Sequence, residues 1–274
     1  MKKLLLTLLA VVLICPCALA KSAKIGVLAP IGHDEKDLIR WSENITQAEG
    51  RGRMFKNPNT VIIYDTLNAM IMALKAGQID QLSIGLHTAE YLTARDKDFA
   101  LTDNKHNIVF GYALAVREED KAKITAVNSA IQKMRSDGTL ASLVRENITE
   151  LGNADPKATP LPKYDDAETV RIAVTGDLPP MDCILADGTP AGFNTAFLAE
   201  LSRRIHRNFE LVSITAGARQ TAISSGRVDA LFWARSVYTS KREILPYLLD
   251  KLSGVAISEP YLIESRAELS LRSN

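Results

Sequence analysis

The spacing of apolar residues along the chain changes repeatedly between the pattern of a strand and the pattern of a helix. Short apolar and β-branched runs predict strands at Lys24–Leu28, Val61–Tyr64, Ile79–Ile84, Ile108–Val116, Val170–Val174, Phe209–Ile214 and Val228–Trp233. Apolar residues at helical spacing predict helices at Leu67–Ala76, Ile124–Met134, Leu140–Ile148, Ala196–Ile205 and Ala218–Ser225. Because strands and helices alternate, we expect an α/β protein with parallel strands and crossover helices.

The amino-terminal segment has the pattern of an export signal. Lys2 and Lys3 precede the apolar run Leu4–Ile14, and a site of small residues ends at Ala20. The run is shorter than the ~20 apolar residues that a membrane-spanning helix needs. We therefore expect a signal peptide over residues 1–20, cleaved after Ala20, and a periplasmic mature protein.

The cysteines favour soluble export over a lipid anchor. Cys15 follows Ile14 and Cys17 follows Pro16, and neither context suits a lipidated cysteine. After cleavage Cys183 remains alone, so no internal disulfide is expected. Its expected role is that of a small buried hydrophobic residue.

Length and charge exclude several general classes of protein. The chain has 274 residues, of which 46% are apolar, enough for one large domain or two ordinary ones. With 33 Lys and Arg against 32 Asp and Glu, no strong field favours nucleic acid as a partner. The segment Leu151–Glu168 is rich in proline and charge and has little apolar periodicity, so it is either a linker between two blocks or a surface strap within one domain.

Short motifs in both blocks occur together in one known family. The second block contains Val170–Pro180 with its paired prolines, Ala186–Asn194, Ser225–Ala230, Thr239–Arg242 and Ser258–Tyr261. The first block contains Tyr64–Thr66, Ala73–Asp80, Ala89–Leu92, Tyr112–Arg117, Asn128–Ile131 and Asp137–Leu140. Together they resemble the bacterial extracellular solute-binding proteins, family 3, which serve amino-acid ABC importers.

The order of the two blocks departs from that family. The family's closing half comes first here and its opening half second. The chain is therefore either a tandem of two incomplete modules or a circular permutation of one module. Permutation is favoured because the blocks complement each other and hardly repeat each other's motifs. The linker Leu151–Glu168 would then join the family's usual termini, and the new ends would fall near Tyr261 and Ile25.

The resemblance implies a type II periplasmic-binding fold, in which two α/β lobes are joined by two hinge crossovers. Lobe one would comprise residues 111–150 and 169–259, and lobe two residues 22–110 and 261–274. The ligand would bind between the lobes, where α/β sheets present the carboxyl ends of their strands.

In lobe one, two arginines and an aromatic residue are candidates for the cleft, although the segment Phe232–Ser236 departs from the family's pattern. Arg242 occupies the family's carboxylate-binding position, with Lys241 as its competitor. Arg235 directly follows a predicted strand, where its guanidinium fork would suit a carboxylate. Trp233 is placed to stack on the ligand, and Ser236 lies beside them. The alternatives are a core tryptophan and surface arginines.

The loops of lobe one add further candidates. Met181 stands where the family commonly has an aromatic residue, so stacking from this loop is lost. Asp177 and Asp182 either bind a ligand ammonium or cap the loop. Thr215 and Gly217 belong to a strand-end loop that offers backbone donors.

Lobe two contributes the loops that follow its first two strands. Gly32 and His33 lie in a loop that resembles the family's ligand-binding loop at a helix start. Asp65 and Thr66 follow the next strand and are candidates for contacting the same ligand.

One position of lobe two lacks the residue that the family uses. The family's carboxylate for the ligand amino group falls on Gly85 here, so the usual anchor for an α-amino group is missing. His87 lies nearby and is either a substitute or a structural histidine.

These observations favour a periplasmic protein that captures a small polar or anionic solute, an amino acid or related carboxylate, and delivers it to the permease of an ABC importer. The alternatives are an exported sensing subunit that docks on a membrane receptor, and a cyclohexadienyl-type dehydratase with Asp182 as its acid. The sequence has no metal-ligand spacing, phosphate loop or nucleophile elbow, so no metal, cofactor or catalysis is expected. We expect a monomer that does not bind nucleic acid.

Overall fold

The structure is a computed structural model that describes residues 23–31, 60–102, 108–239 and 254–272. The expected signal peptide lies outside the described residues, as do the candidate site residues Gly32, His33 and Arg242 and the competitor Lys241. What the sequence suggests for them stays a prediction.

The described residues form strands and helices in alternation. The strands are β1 (Lys24–Leu28), β2 (Thr60–Tyr64), β3 (Gln81–Gly85), β4 (Phe99–Thr102), β5 (Ile108–Arg117), β6 (Thr169–Val174), β7 (Asp177–Leu178), β8 (Asp182–Ile184), β9 (Pro190–Ala191), β10 (Asn208–Ser213), β11 (Ala230–Thr239), β12 (Val255–Ile257) and β13 (Leu262–Leu271). The α-helices are α1 (Leu67–Lys75), α2 (Leu86–Arg95), α3 (Lys121–Ser136), α4 (Thr139–Val144), α5 (Phe193–Ile205) and α6 (Arg219–Ser224). Short 3₁₀ turns span Glu118–Asp120 and Ala216–Ala218, and a π turn spans Arg145–Thr149.

Ten strands form one sheet that has two different halves. Along most of it the order is β10-β6-β11-β5-β13-β3-β1-β2, and β12 and β4 pair with β5 and β13. We call β10, β6, β11, β5 and β12 the β6 half, and β2, β1, β3 and β4 the β1 half. Parallel pairs occur in both halves, β10 with β6 in one and β2 with β1 in the other. The predicted α/β class is therefore confirmed.

Strand β13 passes from one half to the other. Its residues Leu262–Ser265 pair with β5, whereas Arg266–Leu269 pair with β3. All these pairs are antiparallel, so β13 lies between the two sets of parallel strands. The architecture is thus two-lobed, with a strand crossing at the junction, as expected for a type II binding fold.

Apolar cores lie in both halves, and the larger one also takes in Ile25 and Val27 of strand β1. In the β6 half, Ile131 and Met134 of α3 pack with Phe193 and Phe197 of α5. In the β1 half, Met70 of α1 packs with Leu82 and Phe99. Cys183 of the small β7-β8-β9 sheet is buried, and burial raises the pKa of its thiol to about 12, so it stays protonated at neutral pH. Among the described helices, none combines the length and the apolar character that crossing a membrane requires.

Candidate functional site

A cavity of about 40 Å³ lies between the two halves, next to the junction strands. The β1 half lines it with Ser83, Gly85 and Thr88. The β6 side lines it with Thr175, Met181, Ala216, Arg219, Trp233 and Arg235. Several of these residues stand at or just beyond strand ends, the edge at which α/β folds bind ligands. We call this space the inner cavity.

Two buried hydroxyl groups stand in the wall of the inner cavity. The Oγ atom of Ser83 and the Oγ1 atom of Thr88 are buried, and neither has a hydrogen-bond partner within the described residues. A buried polar group without a partner costs about 1–3 kcal/mol. Such groups are therefore retained where a bound molecule can satisfy them.

A second, more open recess of about 660 Å³ also lies between the halves. Leu67 and Tyr91 line it from the β1 half, and Asp177 and Ile184 from the β7-β8 hairpin. We take the inner cavity as the candidate binding site, since the two hydroxyls and two arginines line it. The recess, which is the larger space, is then an approach to the site.

Asp182 is a buried structural residue. Its Oδ2 accepts from Thr175 N at 2.9 Å and from Trp233 Nε1 at 2.7 Å, and its Oδ1 accepts from Asn194 Nδ2 at 2.8 Å. Burial raises the pKa of Asp182, and the bonds from Trp233 and Thr175 oppose that rise. Of its two sequence-based interpretations, the structure thus shows loop anchoring.

Trp233 is both a core residue and part of the cavity wall. Its side chain is buried, and its ring lies 5.0 Å from that of Tyr112 in an edge-to-face arrangement. The bond from Nε1 to Asp182 fixes the ring, so Trp233 offers a rigid surface rather than a freely stacking one.

Arg235 faces the inner cavity from strand β11. Its guanidinium carbon lies 5.1 Å from the centre of the Phe110 ring, a cation–π contact that holds the side chain against the sheet. Ser236 follows it on the strand and pairs through its backbone with Gly111. Arg235 therefore has the position that the sequence suggested for an anion-binding residue.

Arg219 is a second arginine of the cavity, and the sequence did not single it out. Its side chain is buried and donates to the carbonyls of Ala216, Trp233 and Ala29 at 2.7–2.9 Å. The last of these bonds crosses to the β1 half. Arg219 thus brings a buried positive charge to the cavity and ties the two halves together.

Asp177 and Met181 lie on the paired-proline loop. Met181 is buried and lines the inner cavity. Asp177 Oδ2 accepts a hydrogen bond of 2.7 Å from Leu67 N at the start of helix α1, across the gap between the halves. Burial raises the pKa of Asp177, and the bond from Leu67 opposes that rise.

The loops at Asp65 and Thr215 meet beside the inner cavity, which Ala216 helps to line. Ala216 N donates to the carbonyl of Asp65 at 3.1 Å, and a side chain at Gly217 would meet the Asp65 carboxylate. Thr215 and Gly217 are exposed, and the Thr215 carbonyl closes the 3₁₀ turn. Thr66 caps helix α1, since its Oγ1 accepts from Ala69 N at 3.1 Å.

His87 contributes its backbone rather than its ring to the neighbourhood of the cavity. Its N–H donates to Glu264 Oε2 at 2.8 Å, while its Nδ1 lies 3.7 Å from Glu90 on the same helix. Glu264 stands on the junction strand β13 and is 4% exposed. No group of three metal-ligating side chains occurs in the part of the chain that the structure describes.

Residues 170–267 match the family described as bacterial extracellular solute-binding proteins, family 3. The resemblance expected from the sequence motifs is thereby confirmed for this segment, which includes Asp177, Asp182, Arg219, Arg235 and Glu264. A search of curated proteins gives no match.

Solved structures with a similar fold have diverse roles. A zinc-bound ligand-binding component of an ABC-type import system from Staphylococcus aureus is 11% identical, with 92% of this chain and 66% of that chain covered and a TM-score of 0.42. The glutamate-bound GluR0 ligand-binding core of Nostoc punctiforme is 14% identical over 92% and 85% of the two chains, with a TM-score of 0.37. The reduced OxyR regulatory domain of Pseudomonas aeruginosa is 10% identical over 93% and 91%, with a TM-score of 0.39. This chain spans just under two thirds of the first, and at such scores the likeness carries no argument about function.

Proposed function

We propose that this protein is a periplasmic solute-binding protein and not an enzyme. It captures a small polar or anionic solute, an amino acid or related carboxylate, between its two lobes and delivers it to the permease of an ABC importer. The observation that carries the proposal is the inner cavity, in which Arg219 and Arg235 bring positive charge beside the unused hydroxyls of Ser83 and Thr88. A buried carboxylate needs such a cation.

Opening and closing of the lobes would admit the solute. A cavity of about 40 Å³ is close to the ~30 Å³ share of one water molecule, so an amino acid cannot enter without separation of the halves. Among the described residues, polar contacts join the halves from Asp177 to Leu67, from Arg219 to Ala29, from Ala216 to Asp65, and from Arg95 to the carbonyls of Gly152 and Ala154. These contacts would have to break and re-form if the lobes part and close around a ligand.

The strand pairing supports the lobe division that the resemblance suggests. Strand β1 pairs with β2 and β3, whereas β6 pairs with β10 and β11, so the starts of the two sequence blocks lie in different halves. The helices α3 and α4 contact α5 of the β6 half, although they belong to the first block. This arrangement supports a circular permutation over a tandem of separate modules.

The dehydratase alternative is not favoured by the site. Its acid would be Asp182, whose carboxylate already accepts bonds from Thr175, Asn194 and Trp233 and is turned into its own loop. A general acid must reach a substrate atom directly or through one water. The sensing alternative would use the same cavity, and uptake measurements would separate it from transport.

The test begins with a screen for solutes that stabilise the mature chain. Amino acids, dicarboxylates, sulfonates and small peptides are each added to residues 21–274, and the melting temperature is measured. A solute that binds the cavity should raise it with increasing concentration.

A pair of matched threonine variants then locates the binding site. Thr88→Val removes a hydroxyl from the cavity wall and should weaken binding about 5- to 10-fold, since a net hydrogen bond is worth roughly 1 kcal/mol. Thr93→Val removes a hydroxyl from the same helix that bonds to the Ala89 carbonyl instead, and it should leave affinity unchanged. If no solute binds, or if both variants bind like the parent, the proposal fails.

A further inference from the structure

A side chain would not fit at Gly85, because another residue occupies the space that its Cβ atom would need. A Cβ atom built on Gly85 would stand 1.9 Å from Oε1 of Glu264. The backbone does not demand glycine there, since Gly85 has φ −69° and ψ 147°, which any residue adopts. What excludes a side chain at Gly85 is the Glu264 carboxylate, delivered from the neighbouring strand β13.

The Glu264 carboxylate also caps the start of helix α2, which a side chain at position 85 would otherwise do. Gly85 is the N-cap of helix α2 and offers no side-chain cap. Glu264 Oε2 supplies it, by accepting from the N–H of His87 at the second helical position. The pairing of β13 with β3, with Arg266 opposite Gly85, sets Glu264 beyond the end of β3 and next to this helix start.

One oxygen of this carboxylate remains available. Oε2 accepts from the His87 N–H, and the Tyr112 side chain also bonds to this carboxylate, whereas Oε1 has no hydrogen-bond partner within the described residues. Oε1 is the atom pressed against Gly85, and Gly85 is part of the cavity wall, together with Thr88 and its unused hydroxyl. Glu264 is not among the residues that line the cavity, but its Oε1 lies against Gly85, which is, and a buried carboxylate with an open oxygen there favours a bound cation.

We propose that Glu264 binds the protonated amine of the solute, taking the place of a carboxylate at position 85. The inference rests on the proposed function and narrows its ligand class to amines, with zwitterionic amino acids favoured because Arg235 and Arg219 lie across the same cavity. The amine would donate to Oε1 and to the hydroxyls of Thr88 and Ser83, three buried acceptors near the cavity that have no partner within the described residues.

The experiment compares amine and amine-free solutes on matched variants. The probes are the twenty amino acids, putrescine, lactate and malate, titrated by calorimetry into the parent, Glu264→Gln and Glu268→Gln. Glu264→Gln keeps an acceptor for the His87 N–H but removes the charge, so the amine probe should bind roughly 30-fold more weakly or worse. Glu268 is a similarly buried carboxylate on the same strand that bonds to Arg266, and its variant should bind like the parent.

A double variant distinguishes a loss of amine binding from a change in the fold. Glu264→Gly combined with Gly85→Asp moves the carboxylate back to strand β3, and it should recover most of the affinity for the amine that Glu264→Gln loses. If Glu264→Gln binds the amine like the parent, or if the parent prefers lactate or malate, the inference is wrong while the proposed function stands. If the parent binds no probe, the proposed function itself is contradicted.

Discussion

Asp177 accepts a hydrogen bond of 2.7 Å from the backbone N–H of Leu67, and this bond joins the two halves of the molecule at the start of helix α1. The first N–H groups of a helix have no partner inside the helix, and the helix dipole favours a negative charge beside them. Asp177 therefore stabilises the closed arrangement of the two halves.

Asp177→Ala should shift the protein without ligand toward an open form. Loss of a hydrogen bond to a charged group costs about 1.5 kcal/mol, or roughly tenfold in the ratio of closed to open molecules. Small-angle X-ray scattering should show a larger radius of gyration for this variant. Asp187→Ala is the control, because Asp187 bonds only to Thr189 N of its own turn among the contacts described. Equal radii of gyration for both variants and the parent would contradict this role of Asp177.

The bond between Trp233 and Asp182 should contribute to folding stability rather than to ligand affinity alone. Trp233→Phe removes the 2.7 Å donor to a fully buried carboxylate, and we expect a loss of about 1–3 kcal/mol in the free energy of unfolding. Urea unfolding of Trp233→Phe, Asp182→Asn and the double variant measures the coupling between them. A coupling energy near zero would show that the two residues are independent.

Asp229 should make stability depend on pH in the acid range. Arg171 donates to both of its carboxylate oxygens at 2.9 and 3.0 Å, and Arg117 adds a bond of 3.2 Å. These arginines hold the pKa of Asp229 far below its usual value. The folded state therefore binds this proton less readily than the unfolded state, and the stabilisation is present above the unfolded pKa and lost as pH falls toward the folded one.

Urea unfolding between about pH 5 and pH 2 tests this direction of the pH dependence, since an unfolded aspartate titrates near 4. The free energy of unfolding of the parent should fall with pH, and Asp229→Asn should show a smaller fall because its side chain does not titrate. If the free energy of unfolding falls equally with pH in the parent and in Asp229→Asn, other carboxylates cause the acid sensitivity.

The sequence predicted most of the regular elements because their apolar patterns are local. Strand β1 was expected at Lys24–Leu28 and is found there, and the helix expected from Leu67 ends one residue earlier than predicted, at Lys75. Strand β11 was expected to end at Trp233 but continues to Thr239, since pairing with β5 extends it through polar residues. Strand β13 was not predicted as a strand, because its buried positions include Glu264, Arg266 and Glu268.

The candidate site was less accessible to sequence reasoning. Arg235 and Trp233 could be placed because they follow a clear apolar strand, and both line the inner cavity. Thr66 and Asp182 were singled out as possible ligand contacts, but each is engaged in a structural bond. The sequence analysis missed Arg219 and Glu264 because each contacts residues across the junction between the halves. A local sequence pattern does not predict which distant strand lies beside Gly85.

The affinity of an Arg235 variant is the sharpest test of whether the inner cavity holds the carboxylate of the solute. The solute found by thermal shift is titrated by calorimetry into the parent, Arg235→Ala and Arg203→Ala, the last an exposed arginine paired with Glu200. Truncating one partner of a buried charge pair costs about 2–5 kcal/mol, so Arg235→Ala should bind roughly 30-fold more weakly at least, and Arg203→Ala like the parent. Arg242→Ala is measured beside them, because Arg242 was the other arginine predicted from the sequence. If Arg235→Ala remains folded and binds the solute as the parent does, Arg235 does not hold the carboxylate, and the proposed mode of binding is contradicted.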